Sequence, residues 1–163
     1  MNSDYLMHEL KEYVLKHQLK AVVFESSLLR PAPIQAEEKE LLNFIETERK
    51  PSLQQILFGF IDQTGKTDAE IYTRAGIDRK LFSKIRTNSA YHPSKRTLLA
   101  LGLALELNKS DLDLLLQAAG YSLSKSETSD LVIQYFLEKS IYDIDLVNQG
   151  LYSMNLKPLT GIL

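Results

Sequence analysis

The chain of 163 residues contains no cysteine and no tryptophan, and it has only seven glycines and five prolines. Without cysteine there can be no disulfide and no thiolate metal ligand. A long hydrophobic run is also missing. The longest strongly apolar stretch, Thr97 to Leu105, falls far short of the roughly 20 residues that a membrane-spanning helix needs. The charges scattered from Met1 to Lys20 do not match a signal peptide, so the expectation is a soluble cytoplasmic protein with no membrane partner. HExxH, P-loop, GxGxxG and nucleophile-elbow motifs are all absent, and the chain is expected to be no enzyme and to need no cofactor or metal.

Net charge is scarce too, at −2, but its distribution is uneven. Residues 1–51 hold 7 Lys and Arg against 9 Asp and Glu, residues 52–107 hold 8 against 5, and residues 108–163 hold 4 against 7. Within the basic middle block, Gly76 to Ala100 carries Arg79, Lys80, Lys84, Arg86, Lys95 and Arg96 with Asp78 as its one acid. A phosphate backbone senses this local field rather than the total.

A hydrophobic fraction of 44% and a charged fraction of 25% are those of an ordinary globular chain. Tyr5, Leu6, Leu10, Tyr13, Val14 and His17 recur at helical spacing and predict a helix from Asp4 to about Leu19. Ala21 to Phe24 is a short β-leaning run, a strand or a packed connector. Arg30-Pro31-Ala32-Pro33 is expected to break any regular element. A second helix is expected from about Gln35 to Thr47, with Glu37, Glu38 and Glu40 in a first turn where the helix dipole favours acids.

After Arg49-Lys50-Pro51 the stop signals come quickly. Ser52 caps a helix ended by Gly65, Thr67 a short one stopped by Gly76, and Asp78 another to about Arg86. Pro93-Ser94 opens a helix through Leu107, and Ser110 one that ends at Gly120. Helices are further expected over Ser126 to Lys139 and Ile144 to Met154, with a loose tail from Asn155. The fold class is therefore all-α, divided into an N-terminal extension 1–50, a central domain 51–121 and a C-terminal extension 122–163.

The helix from Asp78 carries most of the functional argument. At 100° per residue, Ile77, Leu81, Phe82 and Ile85 fall on one side, with Arg79, Lys80, Ser83 and Lys84 opposite. The apolar stripe anchors the helix and leaves a donor-rich face suited to phosphate oxygens and to guanine acceptors in a major groove. Gly76 supplies a residue able to take positive φ at the corner between two helices.

This stretch resembles the Xre/Cro-like helix-turn-helix family of phage repressors and bacterial regulators over about 55 residues. Ile71, Ala75, Gly76, Ile77, Phe82 and Ile85 fall on that family's core positions. Pro93-Ser94, Thr97-Leu98 and Ala104-Leu105 match its next helix. The resemblance implies a repressor-like bundle and a transcription regulator whose recognition helix, about 78–86, enters the major groove of double-stranded DNA. Arg79, Lys80 and Ser83 then stand as base or phosphate contacts, with Lys84, Asn88, His92 and Lys95 as backbone contacts and Arg96 neutralising a nearby phosphate. If about four phosphates are neutralised, the logarithmic salt slope is near −3.6.

The sequence departs from the family pattern at three places. Tyr72 stands where a small alanine is usual, Asp68 where a glutamine often meets a phosphate, and the loop Thr87 to His92 is long. A looser likeness is to a domain at the ends of larger bacterial proteins, where it need not act as a repressor. The second functional class is accordingly a protein-interaction or sensory adaptor that keeps the fold, its basic face meeting an acidic partner, with the acidic terminal helices as a further surface for a protein partner. A regulator reading two half-sites would be a homodimer. His8 and His17 lack ligand spacing. Asp111, Asp113, Asp143 and Asp145 sit at helix starts, where capping explains them.

Overall fold

A computed structural model describes residues 6–16 and 31–160, of which residues 31–34 are described by backbone alone. His17 and the run Ala21 to Phe24 lie outside the described residues. Among those described, all regular structure is helical, as α1 (residues 6–16), α2 (Pro31–Glu48), α3 (Leu53–Thr64), α4 (Asp68–Ala75), α5 (Arg79–Thr87), α6 (Lys95–Ala104), α7 (Lys109–Ala118), α8 (Thr128–Glu138) and α9 (Ile144–Ser153). No described helix is long and apolar enough to cross a membrane.

The chain divides into two compact units, Met1–Arg49 and Lys50–Leu163. In the first, α2 starts at Pro31 rather than near Gln35. The first four N–H groups of a helix have no intrahelical partner, so prolines in that turn remove no hydrogen bond, and the expected break becomes a start.

In the second unit the centre is α6. Every residue from Thr97 to Ala104 is buried, and α4, α7 and α9 pack around it, with α3 against α7 and α8 against α9. A helix apolar on all sides must lie inside its neighbours, and LLALGLALEL has that character. Leu112 approaches Gly102 where a Cβ would stand, so the glycine lets α7 lie close to α6.

The residues expected as a C-terminal extension are part of this unit. Ile133, Leu137, Ile144, Val147, Leu151 and Leu159 share one buried cluster with Leu57, Ile71, Ile85 and Leu98. The tail is likewise anchored. Asn148 accepts from the Leu159 backbone N–H at 2.9 Å and donates to the Thr160 carbonyl at 3.1 Å. The Thr160 hydroxyl donates to the Ala75 carbonyl at 2.7 Å, one of the acceptors left unpaired at the end of α4.

Candidate nucleic-acid interface

Short helices need their ends satisfied, and the sequence supplies the means around α4 and α5. Thr67 and Glu70 form a capping box: the Thr67 hydroxyl accepts from Glu70 N, and the Glu70 carboxylate accepts from Thr67 N at 2.7 Å. The bond from Thr67 N, a second from the Thr67 hydroxyl at 3.1 Å, and Lys66 nearby hold the Glu70 carboxyl below its ordinary pKa. Gly76 ends α4 at φ 69°, donating to Thr73 and Tyr72 carbonyls, a conformation that glycine adopts without steric cost. Two residues on, Asp78 caps α5 by accepting from Leu81 N at 2.6 Å.

Helix α5 is pinned by Phe82, 3% exposed, and Ile85, fully buried, with Ile77 buried beside them and Leu81 half-buried. Phe82 meets the edge of Phe58 at 6.3 Å and the tilted ring of Tyr72 at 5.6 Å. Tyr72, where the resemblance expects alanine, is therefore part of the aromatic anchor of α5. Asp68, where it expects glutamine, pairs with Arg86 at 2.6 Å. The same guanidinium stacks over Phe58 at 4.2 Å.

On the outward side Arg79, Lys80, Ser83 and Lys84 are all exposed. Lys84 holds its ammonium over the Tyr91 ring, 4.5 Å from the centroid. Among the described residues no ion pair engages Arg79, Lys80 or Lys84. These residues, together with Ser83, make one cationic, donor-rich face on a rigidly based rod.

The flanking residues are placed differently from the expectation. Asn88 is the C-cap of α5, and its side-chain oxygen accepts from Ala90 N at 3.0 Å, which shapes the following loop. His92 has both ring nitrogens engaged, Nε2 with the Ala119 carbonyl at 2.7 Å and Nδ1 with the Tyr121 hydroxyl at 3.2 Å. It ties the loop to the end of α7 while the residue itself remains exposed. Lys95 donates to Asp130 at 2.6 Å, and Asp130 is only 3% exposed. Arg96 is exposed but lines a cavity of about 500 Å³ with Glu127, Leu156 and Lys157, among the C-terminal elements. The structure thus brings Arg79, Lys80, Ser83 and Lys84 together and assigns His92 and Lys95 to internal contacts.

Sequence reasoning did not find Asp130, Tyr121, Asn148 or Thr160. Asp130 alone carried a signal, since it stands on the same helical stripe as Ile133 and Leu137, where a carboxylate needs a cation. Of the helix-start acids, Asp143 caps α9, accepting from Asp145 N and Leu146 N, whereas α7 is capped by Asn108 and Asp113 forms an ion pair with Lys109 at 2.7 Å. Among the described residues no group of three metal-ligating side chains comes together, and His8 lies 3.8 Å from Glu12. No protein-family model matches the chain, and neither a curated protein nor a solved structure is similar to it.

Proposed function

We propose that α4, the Gly76 turn and α5 act as a helix-turn-helix of the Xre/Cro type that reads double-stranded DNA, in a cytoplasmic transcription regulator. One observation carries the reading. Arg79, Lys80 and Ser83 are exposed on a helix whose opposite side is buried, so the donors project from a fixed base, as groove reading requires. The Asp68–Arg86 pair supports it further, because it neutralises the carboxylate that would otherwise repel a phosphate.

The test is a titration of the full chain against a random-sequence duplex at low salt, followed by salt. Three cations on α5 give a slope of about −2.7 per chain, below the value expected for four. Arg79→Ala and Lys80→Ala each weaken binding without lowering thermal stability. Absence of binding at low salt, or unchanged binding in both variants, overturns the reading. Two copies on half-sites about 34 Å apart would supply useful affinity.

The adaptor reading draws on a separate observation. Leu131 and Tyr135 on α8, with Leu146 and Tyr152 on α9, are exposed among the acidic C-terminal helices, a combination suited to a protein partner. A chain that ignores the duplex but loses a partner on Tyr135→Ala would favour that class.

A further inference from the structure

Residues of α6, α8, α9 and the tail line a cavity of about 500 Å³, within the size range of small-molecule sites. Leu99, Ile133 and Leu151 are buried in its wall, and Leu156 is half-buried there. Arg96, Glu127 and Lys157 also line it but are exposed, so they stand at its mouth. An apolar wall with a few charges at the opening suits an amphipathic small molecule.

The state of those charges selects the sign of the ligand. Lys95, also in the wall, donates to Asp130 at 2.6 Å, and Asp130 accepts a second bond from Ser124 N at 2.7 Å. That pair is neutral and satisfied. Among the described residues no ion pair engages Arg96, Glu127 or Lys157, although all three line the same cavity. Two open cations against one open carboxylate leave a single positive charge to be met. Two other cavities lack this feature. In one of about 520 Å³ Arg74 is already paired with Glu106, and in one of about 440 Å³ Lys109 is already paired with Asp113.

We propose that the cavity among α6, α8, α9 and the tail binds a small monoanion with an apolar body, of the medium-chain carboxylate class. Its carboxylate meets Arg96 and Lys157 at the mouth, and its chain lies toward Ile133 and Leu156. Glu127 repels a second negative charge, which favours monoanions over dianions. The tail forms one wall from Asn155 to Leu159. Asn148 fixes that wall through its bonds with Leu159 N and the Thr160 carbonyl, so little ordering is left for the ligand to bring about.

The test titrates octanoate into the full chain without nucleic acid, so this inference and duplex reading fail separately. Calorimetry gives the dissociation constant, and methyl NMR locates the ligand. Octanoate shifts the methyl signals of Ile133 and Leu156 and binds more tightly than octylammonium. Burying two further methylenes makes octanoate bind about tenfold more tightly than hexanoate. Arg96→Gln and Lys157→Gln each weaken octanoate about threefold or more, whereas Glu127→Gln tightens it. These three side chains are exposed, and thermal unfolding checks that the variants stay folded. No binding at millimolar octanoate, or shifts confined to the exposed Leu41 and Ile45 of α2, overturns the proposal. So does an affinity unchanged by both cation variants, equal binding of octylammonium, or weaker octanoate binding in Glu127→Gln.

Discussion

Replacing Lys95 with alanine strands a carboxylate in the core of the larger unit, and the cost follows from its surroundings. Asp130 is 3% exposed and accepts from the Lys95 ammonium at 2.6 Å and from Ser124 N at 2.7 Å. Removing one partner of a buried pair typically costs about 3–5 kcal/mol. Here the Ser124 N–H stays, and the Lys95 side chain is 29% exposed, so its removal admits water. The expected loss is about 2–3 kcal/mol, just below that range, or roughly 10 °C in Tm. Asp130→Asn keeps an acceptor for Ser124 N and leaves an ammonium that can reach water, so about 1 kcal/mol is expected. Urea unfolding measures both. Lys95→Ala costing less than Asp130→Asn, or under about 0.5 kcal/mol, refutes the reasoning. The salt slope of duplex binding gives a second readout: it stays unchanged in Lys95→Ala if the ammonium serves Asp130. It falls by about 0.9 if that lysine neutralises a phosphate.

His92→Phe keeps the ring and removes the bonds to Ala119 and Tyr121. A loss of about 1–2 kcal/mol is expected in urea unfolding, with duplex affinity changed less than about twofold, and a large affinity loss would return His92 to the interface. Glu70 predicts a pH dependence whose sign is fixed by its cause. Its bonds from Thr67 lower the folded pKa, so its stabilisation is present above the unfolded carboxylate pKa and is lost as pH falls through the folded value. Glu70→Gln retains an acceptor for Thr67 N but does not titrate. Its deficit against the wild type in urea midpoints should therefore shrink on acidification, and a deficit that grew in acid would contradict the assignment.

The start and stop chemistry of α3 to α5 was legible because Ser52, Thr67, Asp78, Gly65 and Gly76 act on immediate neighbours. Where the signals weaken, the ends shift. Helix α6, expected through Leu107, stops at Ala104 because Glu106 turns to φ 54° and Leu107 folds back, its N–H donating to Gly102 at 3.0 Å. No glycine marks that turn. Helix α7 is capped by Asn108 instead of Ser110, an ambiguity created by two good caps two residues apart. Least legible was the tail, where Thr160 meets Ala75 across 85 residues. Tertiary contacts of that separation leave no local periodicity to read.

The same distinction governs the charge. Eight basic residues in 52–107 suggest a broad cationic surface, yet Arg74, Arg86 and Lys95 are each paired with an acid. Counting residues therefore overstates the field while missing its shape. Pairing Arg86 with Asp68 removes one cation from the count, but it cancels the repulsive carboxylate and stacks a rigid guanidinium on Phe58. Holding Lys95 at Asp130 likewise fastens α6 to the C-terminal helices. Among the described residues the cations of α5 without an acidic partner are Arg79, Lys80 and Lys84, and they stand on the helix that Phe58 and Tyr72 anchor through Phe82. Fixed donors lose less conformational entropy on binding than mobile ones. On the proposed helix-turn-helix reading, a small, well-based charge would favour a particular duplex surface over indiscriminate attachment to any polyanion.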